Sequence, residues 1–310
     1  MQELQLLCIN AESMLYVHFS KFGPLLMTQS DINSATSATK LALITGGTSG
    51  IGVSIAKALL NQGQYGVVLI GRNASKGNAV IASLEAAHPG RAKFVQLDLS
   101  DIGAVKKFAK QFAANHESLD LLANVAGVMQ SKRTLTKEGF ETTFAVGYLS
   151  AFVLCTELAP LLEKTPHGRI ANVAGVARFI FNGKLDFDDL TFKQGYSSFK
   201  TAITTVHAKT VLTEILSQKF ASKGIDVNSF HPGAVRSDLM HNMPWLTRQL
   251  FKIPSFFMTK ESKTGIFACL SPELEGVSGK YLNGKQVLDL NFGAPYKERL
   301  WLETEKLLLP

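Results

Sequence analysis

Two rhythms of apolar residues alternate along the chain. Short apolar runs occur at residues 41–44 (LALI), 65–70 (YGVVLI), 93–99 (KFVQLDL), 119–125 (LDLLANV), 169–174 (RIANVA) and 225–230 (IDVNSF). Runs of this length read as strands, and the first, with four apolar residues in a row, as a parallel strand buried on both faces. Between the runs the period lengthens to that of a helix. Ile51, Ile55, Ala58 and Leu59 share one face of a helix that ends near Gly63. Residues 76–88 make a second helix, closed by Pro89-Gly90, and residues 102–116 a third. A long helix over 139–163 follows, then an irregular stretch to Gly195 and a last helix through Phe220. Strands and helices alternating with short joins predict right-handed crossovers and an α/β fold, a doubly wound parallel sheet with helices on both faces.

No shift in composition divides the 310 residues. We therefore expect one domain over residues 40–295, preceded by an extension of unclear order (1–39) and followed by a short tail (296–310).

The first strand runs into Thr45-Gly46-Gly47-Thr48-Ser49-Gly50-Ile51-Gly52 and then directly into a helix. A strand, a glycine turn and a helix form the geometry that seats a pyrophosphate. Gly46 permits the tight turn, Gly50 lets backbone approach a phosphate, and Gly52 lets the helix pack closely on the strand. The helix N-terminus offers unpaired N–H groups to an anion. The spacing is G-x-x-x-G-x-G, so it differs from the dinucleotide fingerprint G-x-G-x-x-G. Thr48, Ser49 and Ile51 stand in the same turn as further candidate contacts. The second strand ends at Gly71-Arg72-Asn73. An acidic residue there would bind a ribose 2′-hydroxyl, whereas arginine pairs with a 2′-phosphate, so Arg72 favours NADP(H) over NAD(H). Asp98 lies at the carboxyl end of the third strand, where open α/β sheets bind ligands.

Composition narrows the classes. The apolar share of 46% suffices for a large core, and the formal charge of +7 comes from scattered residues with no basic run. Nucleic-acid binding is therefore not expected, and a phosphorylated small molecule suits the charge. Cys8, Cys155 and Cys269 lack metal or redox spacing, so we expect no metal site and read them as free thiols of a reducing, cytoplasmic compartment. No run of about 18 apolar residues is present, so no transmembrane segment is expected. The first 26 residues lack the basic start and apolar core of a signal peptide.

TGGTSGIG (45–52), LDLS (97–100), NVAG (124–127), HPGAVRSDL (231–239) and SPELEGVSGKY (271–281) together resemble the short-chain dehydrogenase/reductase superfamily, in its retinol-dehydrogenase-like branch. The resemblance spans about residues 40–285 and implies a Rossmann fold that binds NAD(P)(H) and oxidises or reduces a carbonyl or alcohol. By that pattern Asp98 holds the adenine edge, Asn124 supports the central strands and Gly127 lies against a ribose. Pro232 and Gly233 border the nicotinamide, with Ser237 near its carboxamide or the diphosphate. The resemblance also implies dimers or tetramers.

The catalytic positions depart from that pattern. The family uses an Asn, a Ser, a Tyr and a Lys one helical turn after the Tyr. In the gap-free register the corresponding positions are Gly147, Ala174-Gly175, Ala202 and Val206. A literal Y-x-x-x-K occurs at Tyr196 and Lys200, six residues early. On a helix that pair would share a face and could serve as acid and base, though displaced by roughly 9 Å along the axis. His207 reads as a helix-surface residue, and Asp186, Asp188 and Asp189 as a solvated turn. Residues 241–257, rich in Met, Trp, Leu and Phe, fall where the family carries a substrate lid; an apolar lid suits a lipophilic small-molecule substrate. Three functions follow: an oxidoreductase with a divergent site, a cofactor-binding protein without turnover, or a non-redox isomerase or cyclase on the same scaffold.

Overall fold

The apolar runs form the centre of the sheet. In the computed structural model, which describes residues 38–235, 259 and 261–309, the first strand is β1 (Lys40–Thr45). It is followed by α1 (Gly50–Asn61), β2 (Tyr65–Gly71), α2 (Ala74–Glu85), β3 (Ala92–Gln96), α3 (Ile102–Asn115) and β4 (Leu121–Asn124). The chain continues through α4 (Thr142–Leu162), β5 (Gly168–Val173), the short α5 (Ala177–Phe181), α6 (Ser198–Lys219) and β6 (Ile225–Phe230). Helix α7 (Lys263–Leu270), β7 (Lys280–Asn283), β8 (Gln286–Asp289) and α8 (Ala294–Leu308) complete it.

The strand order is β3-β2-β1-β4-β5-β6-β7-β8. Every pairing is parallel except that of β7 with β8, a hairpin that places one antiparallel strand at the edge. The order reverses between β1 and β4, which opens a crevice at their carboxyl ends. Alternate residues of each strand feed two cores. Leu41, Leu43, Val68 and Ile70 pack with α3, α4 and α6, while Ala42, Ile44, Val67 and Leu69 pack with α1, α2 and α7.

Helix α4, 21 residues long, is long and apolar enough to cross a membrane by length and composition alone. Its most apolar 18-residue window has a mean hydropathy of 1.7, yet 83% of that window is buried inside the domain. It is apolar on most sides because it packs against strands, α3 and α6 together. Residues Ala145–Leu149 within it are wound as a π-helix, a feature that often marks functional sites.

Residues 296–308, in the stretch expected as a tail, belong to α8, where Leu300 is fully buried and Trp301 packs on Phe152 with ring centroids 4.8 Å apart. Thr304 hydrogen-bonds the buried Tyr148 hydroxyl at 2.7 Å. Lys297 pairs with Glu214 of α6 at 2.6 Å, both nearly buried. Deleting residues 294–310 would strip these partners at once. The shortened chain is expected to lose several kcal/mol, and to melt far lower or aggregate when followed by circular dichroism.

Candidate active site

The crevice at the switch point is a cavity of about 690 Å³ running across the carboxyl ends of the strands. Its first wall is the glycine turn. Gly46 has a positive φ of 68°, and a Cβ there would lie 3.0 Å from Ala126 backbone. A Cβ on Gly52 would drive into the Gly46 carbonyl oxygen, so only glycine lets α1 seat this close. The Thr45 hydroxyl fixes the opposite rim, accepting from the Val125 and Ala126 amides at 3.0 and 3.1 Å. Ser49, at the α1 N-cap, makes no side-chain capping bond, which leaves the first-turn amides directed at the cavity.

Gly46, Thr48, Ser49, Ile51, Arg72, Asp98, Gly127 and Pro232 all line the cavity. Gly50 and Gly52 lie behind the turn, Gly233 is off the wall, and Ser237 falls outside the described residues, as do residues 241–257. Asp98 is oriented by Ser100, whose amide and hydroxyl both donate to its Oδ1, at 2.9 and 2.8 Å. Lys76, in the first turn of α2, joins Arg72 at this end. Sequence reasoning passed over Lys76, although a cation one turn into the helix after Arg72 was the available signal.

The other end is walled by Val146, Gly147, Val173, Ala174, Ala202, Thr205, Val206 and Lys209. Gly147, Ala202 and Val206, three of the positions that the resemblance matches to polar catalytic side chains, thus stand on this wall, with Ala174 beside them. Gly175 itself is off the wall; its carbonyl accepts from the Tyr281 hydroxyl at 2.7 Å. The small residues are packed, not vacant. A Cβ on Gly147 would stand 2.5 Å from the Thr205 methyl, and one on Gly175 3.2 Å from a Val206 methyl.

Tyr196 and Lys200 are not brought to this cavity. The helix begins only at Ser198, with Ser197 as N-cap, so Tyr196 precedes it and the i, i+4 relation never forms. The Tyr196 hydroxyl donates to the Gln130 carbonyl at 2.9 Å and lies 3.4 Å from the buried Glu141 carboxylate. Burial and that carboxylate both raise its pKa, the opposite of what an activated phenol requires. Lys200 is exposed and lines a separate small depression with Asp186 and Asp189. Asp189 accepts from the Lys193 and Gln194 amides and closes a turn there.

His207 is not on the helix surface. It is buried, bonded through Nδ1 to the Ile180 carbonyl at 2.7 Å and through Nε2 to the Tyr296 hydroxyl at 2.9 Å. Helices α5 and α8 cover it, and burial lowers its pKa, so it works as a neutral structural link.

Lys209 is the charged side chain at the apolar end. It is 2% exposed, and its Nζ lies 3.5 Å from the Asn124 carbonyl oxygen. Burial pulls its pKa from 10.5 down to about 7. Beneath it, Asn124 donates to the Cys155 sulfur at 3.2 Å and to Asn172 Oδ1 at 2.9 Å, and Asn172 donates to the Thr213 hydroxyl at 3.0 Å. This polar chain ties β4 and β5 to α4 and α6 directly under the cavity.

A glycine turn at a switch point, beneath a cavity basic at one end and apolar at the other, is the build of a dinucleotide-dependent oxidoreductase. Residues 40–245 match the short chain dehydrogenase family. The chain is 32% identical over 279 residues to retinol dehydrogenase 12 of Mus musculus, covering 87% of this chain and 86% of the relative. It is 30% identical over 276 residues to polyprenol dehydrogenase of Homo sapiens, covering 84% and 83%. A short chain dehydrogenase from Escherichia coli CFT073, solved in complex with NADPH, shares the fold with a TM-score of 0.63 at 18% identity, over 80% of this chain and 98% of that one. The chain belongs to the short-chain dehydrogenase/reductase family, in its retinol-dehydrogenase-like branch. It is an oxidoreductase of that class.

Proposed function

We propose that this protein uses NADP(H) to interconvert a carbonyl and an alcohol on an apolar substrate, with proton handling unlike that of its family. The observation that carries the reading is the cavity itself. One continuous space joins the basic pair Arg72 and Lys76, the glycine turn and the apolar end. The residues fit the cofactor: glycines leave room for a diphosphate, and the basic pair suits a 2′-phosphate. When bound, the nicotinamide supplies or accepts the hydride. Thr48, Ser49 and the α1 amides would hold the phosphates, Asp98 the adenine side, and Pro232 would border the nicotinamide. Val146, Val173, Ala174, Ala202 and Val206 exclude water around the substrate. Two relatives are named for retinol and polyprenol, both apolar alcohols, which supports a lipophilic substrate. The two described cysteines are buried free thiols, which suits a reducing compartment such as the cytoplasm.

A second reading, cofactor binding without turnover, is favoured by one observation: no phenol stands on the wall among the described residues. Fluorescence titration with NADPH and NADH, followed by a panel of apolar aldehydes and ketones, separates the two. NADPH binding with turnover supports the first, and binding without turnover the second. In the same titration Arg72→Ala is expected to weaken NADPH about 10- to 100-fold, the effect of one charge-assisted contact, and to leave NADH nearly unchanged.

A further inference from the structure

Position 206, where the family places its lysine, is a valine, yet an amine still reaches the cavity from α6. Lys209 follows Val206 by three residues, so the two share a helix face, and helical side chains lean toward the N-terminal turn. The Lys209 side chain thus rises from one turn deeper to the cavity wall beside Val206. Among the described residues no carboxylate acts on it. The titratable group acting on it is Cys155 of α4, whose thiol is pushed up to about 12 by burial and stays neutral. From β4 it faces Asn124, which is bonded in turn to Asn172 of β5, and neither amide titrates. Arg72, Lys76 and Asp98 stand at the far end of the cavity. An ammonium has three donors, and the long contact to the Asn124 carbonyl uses one. A buried amine with this one long contact among the described residues is poised for a ligand that completes it.

The NADP(H) reading suggests that ligand. Nucleotide phosphates would sit at the glycine turn after β1, and Pro232 after β6 would border the nicotinamide. The end of β4, where Lys209 meets Asn124, lies between the two. In a dinucleotide the group joining diphosphate to nicotinamide is a ribose, with two hydroxyls as acceptors. We propose that Lys209 is the residue that donates to the nicotinamide ribose hydroxyls, replacing from one helical turn away the cation missing at position 206. This rests on the NADP(H) reading above. A consequence is that binding is coupled to proton uptake. The amine is largely neutral in the ligand-free protein above pH 7 and becomes an ammonium when the sugar oxygens satisfy it.

The test is NADPH titration by fluorescence and calorimetry on the full chain, Lys209→Met and the double variant Val206→Lys/Lys209→Met, with far-UV circular dichroism to verify folding. Lys209→Met is expected to weaken NADPH about 10- to 100-fold at pH 7.5. The parent should take up a proton on binding at pH 8.5, read from the dependence of binding heat on buffer, and Lys209→Met should not. The double variant, which returns an ammonium one turn earlier, should recover part of the affinity and distinguishes a lost contact from a damaged fold. A folded Lys209→Met protein that binds as tightly as the parent, with the same proton uptake, overturns the assignment and leaves the NADP(H) reading intact. A parent that binds neither NADPH nor NADH overturns both.

Discussion

Ala202→Tyr is expected to raise kcat/KM for carbonyl reduction by about 10²- to 10⁴-fold, the usual contribution of a positioned general acid. Ala202 lies on the cavity wall one turn before Val206, and the small Ala174 lines the same cavity. A phenol there would stand in the same cavity as Lys209, and a nearby cation draws a phenol pKa down from 10 toward the working range. The companion variant Tyr196→Phe should leave turnover within about twofold of the parent, because Tyr196 is not on the cavity wall and its hydroxyl is committed to the Gln130 carbonyl. Steady-state rates with NADPH and an apolar aldehyde measure both. A flat response to Ala202→Tyr with NADPH affinity retained would mean that proton transfer does not limit the reaction.

The second large effect concerns stability. Lys209→Met is expected to melt higher than the parent in the absence of cofactor. The buried amine has its pKa lowered from 10.5 to about 7, so folding disfavours its protonated form. Between about pH 7 and 10.5 the unfolded chain binds a proton that the folded chain has released, and the stability of the parent rises with pH over that window. Below about pH 7 both states carry the charge, and the folded protein bears the full desolvation cost, on the order of a few kcal/mol. The variant should therefore melt several degrees higher at pH 6, with the gap closing toward pH 10. Groups common to both chains cancel in the difference, so paired thermal scans across pH read Lys209 alone. The substitution that weakens cofactor binding would strengthen the ligand-free fold, as happens when a site holds an unsatisfied group for its ligand.

The scaffold was legible because its signals are local. The six apolar runs became β1 to β6, and the glycine turn met backbone so closely at Gly46 and Gly52 that no other residue type fits. What escaped was set by contacts distant in sequence. His207 was read as exposed because α5 and α8, which cover it, gave weak patterns; α8 is polar on most of its surface and is held by Lys297, Trp301 and Thr304. The Tyr196–Lys200 spacing suggested a helical pair, but Ser197 caps the helix between them, so spacing on its own misled. Lys209 could not be ranked from sequence, since a lysine one turn from a family position is as readily exposed to solvent as buried against the site. Its burial and its approach to Asn124 settle which.

The glycine at position 147 limits the substitutions open to this chain. The π-wound segment that carries it abuts Thr205, whose methyl stands in the space that a first side-chain carbon at 147 would claim. A larger residue there needs Thr205 to move or to change with it, although the two lie on separate helices. Positions 147 and 205 are thereby interlocked, so variation at this wall of the cavity is expected to come in pairs.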